Sequence, residues 1–205
     1  YVTGLSVDIS GNCIASIYSR SSTVTLGSFG FSNVGPSDVF VAKVSTSGVV
    51  QWMKNFTGAG NDQATTVSCD GSNMYVSGYF TSSSLSFGST VLSSAGAEDI
   101  FVVKLDATGA VQWAQPYGAA GSDKGLDIFV TGNDRFVLGG SFASSSITFG
   151  SNALSNSGGT DGFIQKYGST ASSGVAPTVT TASAVNLATT SATLNGSVNP
   201  NSLAT

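Results

Sequence analysis

The residues best equipped for chemistry in this 205-residue chain are aspartates, and they recur at a fixed interval. Asp38, Asp99 and Asp161 each stand before an apolar run, in steps of 61 and 62 positions. A carboxylate so placed can ligate calcium, or it can accept backbone N–H bonds and cap a turn. A calcium loop needs several oxygen ligands close together, and no D-x-[DN]-x-[DN]-G pattern occurs. Turn capping is therefore the expected role of all three, and of Asp62 and Asp123 in their Gly-x-Asp turns. Glycoside hydrolysis needs two acids in one cleft; Glu98 is the single Glu and adjoins Asp99. The chain contains no His, which excludes Ser-His-Asp chemistry and His-ligated zinc or haem within it. No catalytic, cofactor-binding or metal-ligating residue is expected.

Trp52 and Trp113 can serve as platforms for sugars, but a Trp in a strand more often buries its large area against a neighbouring sheet. Packing between sheets is expected for both, and for Phe40, Phe101 and Phe163. Cys13 and Cys69 fall near the same hairpin end of adjacent repeats. They form either a disulfide, which in an oxidising compartment would restrict the unfolded chain, or two buried thiols. Asn55-Phe56-Thr57 and Asn195-Gly196-Ser197 fit the N-glycosylation pattern, one short enough to arise often by chance.

Only 9% of the residues are charged, against the usual quarter. Ser, Thr, Gly and Asn fill the gap, so the surface is made of hydroxyls and amides. With seven Lys and Arg and a net charge of −4, there is no basic footprint for nucleic acid or an anionic membrane. No run approaches 18 apolar residues, so membrane insertion is not expected. Few Lys, many Ser and Thr and sparse Cys suit an extracellular or cell-surface protein of bacterial or archaeal type. A first residue of Tyr1 rather than Met reads as a processed or trimmed chain.

The elements that must position these residues form a threefold repeat. Asp38-Val39-Phe40-Val41-Ala42-Lys43 returns as Asp99-Ile100-Phe101-Val102-Val103-Lys104, and more loosely as Asp161-Gly162-Phe163-Ile164-Gln165-Lys166. Leu26-Gly27-Ser28, Phe87-Gly88-Ser89 and Phe149-Gly150-Ser151 keep the same step, as do Gly35, Gly96 and Gly158. Gln51-Trp52 matches Gln112-Trp113. The repeats run about 1–61, 62–122 and 123–168. In the second, strands are expected near 64–70, 73–80, 99–106 and 110–116, with tight turns at Asp70-Gly71-Ser72-Asn73 and Asp106-Ala107-Thr108-Gly109. A small outer hairpin is expected in the insertion 81–98. No segment carries helical periodicity with caps. Ile100-Phe101-Val102-Val103 is apolar on consecutive residues, so both faces of that strand are buried. Four-stranded sheets stacked face to face around an axis satisfy this, which is a β-propeller; a stacked solenoid is the competing geometry.

Asp99-Ile100-Phe101-Val102-Val103-Lys104, then Thr108-Gly109-Ala110-Val111-Gln112-Trp113, then Tyr117-Gly118-Ala119-Ala120-Gly121 resembles the bacterial SBBP-type β-propeller repeat. The resemblance covers residues 1 to about 168. Repeat 3 departs from it, with Gly162 in place of the apolar residue and no Trp strand after it. The resemblance implies a propeller on secreted or surface proteins, and no activity. Residues 169–175 read as a Ser/Gly linker. In 176–205, Ala176-Pro177-Thr178-Val179-Thr180-Thr181 and Ser191 to Pro200 resemble the first two strands of a fibronectin type III-like domain, which needs about seven strands to close a sandwich.

Three repeats are fewer than the four to eight of a closed propeller, and the third lacks its last strand. The chain is then a fragment of a longer propeller, part of a ring of copies, or a subunit whose edge takes a strand from a neighbour. Ala192, Leu194 and Val198 mark the candidate donor strand. The expected function is non-catalytic and structural: a self-associating subunit or stalk of a surface fibre or adhesin. The alternative is a carbohydrate- or protein-binding propeller module of a larger secreted protein.

Overall fold

The computed structural model describes residues 1–132 and 134–168, and the backbone of 178–188 and 191–199. Among the described residues every regular element is a β-strand, and every pair of strands is antiparallel. The chain divides into two units, Tyr1–Gly168 and Ser169–Thr205.

One order of strands recurs through the first unit. Repeat 1 holds β1 (Val2–Val7), β2 (Cys13–Ser19), β3 (Thr23–Leu26), β4 (Phe29–Ser32), β5 (Asp38–Val44) and β6 (Val50–Gly58). Repeat 2 holds β7 (Asp62–Asp70), β8 (Asn73–Phe80), β9 (Ser84–Phe87), β10 (Thr90–Ser93), β11 (Asp99–Leu105) and β12 (Val111–Tyr117). Repeat 3 holds β13 (Asp123–Gly132), β14 (Arg135–Phe142), β15 (Ser146–Phe149), β16 (Asn152–Ser155) and β17 (Asp161–Tyr167). The sheets run β1-β2-β5-β6, β7-β8-β11-β12 and β13-β14-β17. The short hairpins β3–β4, β9–β10 and β15–β16 sit in the insertions. The second crosses to repeat 1 and extends β6, Thr57 opposite Ser86 and Gly58 opposite Leu85.

Local chemistry explains the boundaries. β-branched and aromatic residues fill the strands, and turn residues end them. The Asp106 carboxylate accepts the N–H groups of Thr108 and Ala110 at 2.9 and 3.0 Å, and Gly109 supplies φ +76°, a turn closed by its own side chain. The first strands β1, β7 and β13 each carry an irregularity at the same place, at Val2/Gly4, Ala64/Thr66 and Gly125/Asp127. They also bond across repeats: Thr65 Oγ1 donates to the Gly125 carbonyl at 2.8 Å, Cys69 N–H to Ser6 Oγ at 3.2 Å, and Val130 N–H to Ser68 Oγ at 3.1 Å.

The core lies between the sheets. Phe101 and Val103 of β11 join a cluster with Ile14, Val39, Val41 and Phe56 of repeat 1. Their neighbours Ile100 and Val102 point the other way, into a cluster with Ile128, Phe136, Leu138, Phe142 and Phe163 of repeat 3. Phe101 and Phe163 thus pack between repeats. Phe40 does not: it is fully buried, but with Ala42, Met53, Ile17 and the hairpin residues Val24, Leu26, Phe29 and Phe31 of its own repeat. The β3–β4 hairpin folds over the face that in repeats 2 and 3 meets a preceding sheet.

In the second unit β18 (Thr178–Ala188) and β19 (Ser191–Asn199) form a hairpin with Val198 opposite Val179. The strand carrying Ala192, Leu194 and Val198, the candidate donor, pairs with β18 on one edge. Its side chains, and the linker 169–175, lie outside the described residues.

Phe101→Ala should cost about 3–5 kcal/mol in urea unfolding, the usual loss for a fully buried Phe. Ile164→Ala, at a position 82% exposed, should cost less than about 0.5 kcal/mol. Equal losses would place the core elsewhere.

Candidate functional site

The chemistry-bearing residues gather at the junctions between repeats. Asp62 opens β7 and is fully buried. Its N–H donates to the Ser37 carbonyl at 2.9 Å. Its Oδ2 accepts the Ser82 hydroxyl at 2.6 Å, and its Oδ1 accepts the N–H groups of Thr81 and Ser82, each at 3.2 Å. Ser82 Oγ in turn accepts Gly60 N–H at 2.7 Å. Asp123 repeats the device one sheet on. Its N–H donates to the Glu98 carbonyl at 2.7 Å, and its carboxylate accepts the Ser144 hydroxyl at 2.6 Å and the Ala119 N–H at 2.9 Å. Ser144 Oγ accepts Gly121 N–H at 2.8 Å. Burial pushes the Asp62 carboxyl up, the Ser82 and Thr81 donors oppose it, and the nearby Asp38 charge adds to the rise.

The other aspartate series holds the loop before each third strand. Asp38 accepts Val34 N–H at 2.7 Å, Asp99 accepts Ala95 N–H at 2.6 Å, and Asp161 accepts Ser157 N–H at 2.7 Å, each from four residues earlier. Asp99 also accepts the Ser94 hydroxyl at 2.6 Å. One oxygen of each carboxylate is thus taken by the protein's own donors, while Asp99 Oδ1 is buried without a partner. Among the described residues no group of three or more His, Cys, Asp or Glu is arranged to hold a metal ion.

Two further charged links escaped the sequence. Lys43 pairs with Asp8 at 2.7 Å, both largely buried. Burial opposes the ionisation of Asp8. The Asn12 side chain, the Lys43 ammonium and the N–H groups of Asn12 and Ser10 nevertheless hold its carboxyl well below the usual carboxylate range. In repeat 2 the equivalent Lys104 reaches forward to Asp134 of the next repeat. The buried Tyr75 donates to Asp134 Oδ1 at 2.6 Å and to Asp70 Oδ2 at 3.2 Å. Burial, then the bond to Asp134, pushes the Tyr75 hydroxyl far up, so it acts as a fixed donor and not as a base. Lys104, Asp70 and Asp134 edge a polar cleft of about 590 Å3 that also touches Cys69 and Asn73. Their bonds to one another leave no free acid–base pair.

Both Trp side chains are partly buried and pack against the clusters between repeats. Trp52 packs on the cluster between repeats 1 and 2, and its Nε1–H donates to the Ala107 carbonyl at 3.1 Å. Gly109 lies so close that a Cβ there would meet the ring at 3.1 Å. Trp113 packs between Tyr75 and Phe136, at centroid distances of 6.1 and 6.2 Å. In the structure Cys13 and Cys69 are both free thiols. Ile14 faces repeat 2, so its neighbour Cys13 points to the opposite face, whereas Cys69 packs against the cluster between repeats 1 and 2. The sheet of repeat 1 stands between them. Ser82 and Ser144 recur 62 positions apart, close to the 61 that separates the aspartates they serve; in so Ser-rich a chain that spacing does not stand out.

No family model matches the chain. Over 164 residues the chain is 27% identical to an uncharacterised WD repeat-containing protein of Acanthamoeba polyphaga mimivirus, a match that covers 74% of this chain and 12% of the relative. The likeness points to a repeat protein of the β-propeller kind. Neither part of the usual WD signature is present: there is no His for a Gly-His pair, and Trp52 and Trp113 precede Met53 and Ala114.

Because its folded carboxyl is depressed, Asp8 contributes stability that is present above the ordinary value of 3.8 and lost as the pH falls below it. Asp8→Asn should cost about 3 kcal/mol at neutral pH by stranding buried Lys43. That deficit should shrink in urea titrations taken from about pH 4 downward, and a pH-independent deficit would contradict the role. Titration of the unreduced, denatured chain with a thiol reagent should find both cysteines reactive, and a disulfide would leave neither.

Proposed function

We propose that this chain is a non-catalytic β-propeller-type module, its repeat resembling the SBBP type, whose work is to bind further blades through its two outer sheet faces. The carrying observation is a set of equivalent positions. Val67 and Ile128 are 5% and 3% exposed where they meet the preceding sheet, whereas their counterpart Leu5 in repeat 1 is 66% exposed. Val2 and Val7 beside it are 61% and 63% exposed. At the other end Val41 and Val102 are fully buried against the following sheet, whereas Ile164 is 82% exposed, and Phe129 is 66% exposed. Apolar surface left open at both ends of a stack marks an interaction site. The two faces are the two halves of the contact that the internal repeats already make.

A second copy fits such faces head to tail. Contacts of that kind close into a ring or run on as a filament, according to the rotation between copies. The low charge and the hydroxyl- and amide-rich surface suit an extracellular or cell-surface structural protein, a fibre or adhesin segment, with β18–β19 as a fibronectin type III-like hairpin. Sedimentation velocity over a range of concentrations should show the 205-residue chain self-associating, and Leu5→Asp or Ile164→Asp should return it to a folded monomer. A wild-type chain that stays monomeric at every concentration would remove this function.

A further inference from the structure

β5 pairs with β2 on one side and β6 on the other, and β11 pairs with β8 and β12. Within residues 1–168 β17 pairs with β14 alone. Among the described residues its second edge carries no partner strand, and such an edge is a ready template for another strand. The burial of the strand agrees: β5 and β11 are buried at nearly every position, while Gly162, Ile164, Lys166 and Tyr167 of β17 are exposed.

The covered edges in repeats 1 and 2 specify what fits. β6 and β12 lie in the same register on their partners. Phe56 stands opposite Val39 and Tyr117 opposite Ile100; Trp52 stands opposite Lys43 and Trp113 opposite Lys104. Carried to repeat 3, that register sets a Trp opposite Lys166 and a Phe or Tyr opposite Gly162. A second feature lies at the end of the strand. A Cβ on Gly35 would lie 2.3 Å from the Gly60 carbonyl oxygen, and one on Gly96 would lie 1.9 Å from that of Ala119, so both glycines seat the turn that follows the fourth strand. Gly158 holds the same place in the sequence of repeat 3, at φ +123°, and among the described residues nothing lies within 4 Å of a Cβ built there.

We infer that the free edge of β17 takes an extended segment of the pattern Val-Gln-Trp-x-x-x-(Phe/Tyr) followed by a Gly-rich turn, supplied from outside this 205-residue sequence. β19 does not meet the requirement, since residues 169–205 contain no aromatic residue. This deepens the blade-binding function and rests on it: the added strand would complete the last blade and extend the face on which the next one stacks.

The test uses the full chain at a concentration where it sediments as a monomer. Three peptides are compared: residues 110–121, the same peptide with Trp113→Ala, and residues 191–199. Binding is read by calorimetry, and backbone hydrogen exchange is followed along β17. The first peptide should bind one to one and slow every second amide of Asp161–Tyr167. The Trp113→Ala peptide should bind about tenfold more weakly or worse, and the 191–199 peptide should not bind. No binding by the first peptide, protection outside β17, equal binding by 191–199, or slow exchange in the free chain at the β17 amides that point away from β14 would each overturn the inference. Self-association that survives such a failure leaves blade stacking in place without the added strand. A monomer that still binds the peptide does the reverse.

Discussion

A strand apolar on consecutive residues cannot lie with one face in water, and much else in this protein follows from satisfying that constraint twice, in β5 and β11. Val39 to Ala42 and Ile100 to Val103 are buried without a break. Alternate side chains of β11 enter the clusters on its two sides. Burial of this kind is worth roughly 1.5–3 kcal/mol for each large side chain, and no single sheet can collect it on both faces. Only sheets leaning on sheets do so, and their number is limited by how many repeats are at hand.

Stacking by apolar area alone has no fixed register, because such contacts are non-directional. The buried carboxylates supply direction. Asp62 and Asp123 tie the start of one sheet to the loop of its own insertion and to the backbone of the sheet before it. A buried carboxylate is tolerated only when its oxygens are filled by donors, so each junction admits one arrangement. The acidic residues that first suggested chemistry are thereby consumed as structural fasteners, and the functional weight shifts to the outer faces and the open edge.

Much of the architecture could be read from the sequence, because the repeat multiplies each signal. The Asp-apolar-Lys run marks the third strand wherever it occurs, and the Asp70 to Asn73 and Asp106 to Gly109 turns bound strands close to where the structure has them. What escaped was the choice of face. That Cys13 points away from Cys69, and that Phe40 packs under its own β3–β4 hairpin, depends on which side of a sheet a residue takes and on what covers it. Sequence spacing does not carry that information. The Lys43–Asp8 and Lys104–Asp134 links were hidden for a related reason: equivalent lysines choose a partner in their own repeat in one case and in the next repeat in the other.

The central claim is that neighbouring sheets are energetically coupled through their facing side chains. Trp113 of repeat 2 and Phe136 of repeat 3 lie with ring centroids 6.2 Å apart, which makes them a direct probe. A double-mutant cycle in denaturant, with Trp113→Leu, Phe136→Leu and the pair, should give a coupling of about 0.5–1.5 kcal/mol. Strict additivity of the two losses would mean that the sheets do not meet there, and would contradict the stacked arrangement.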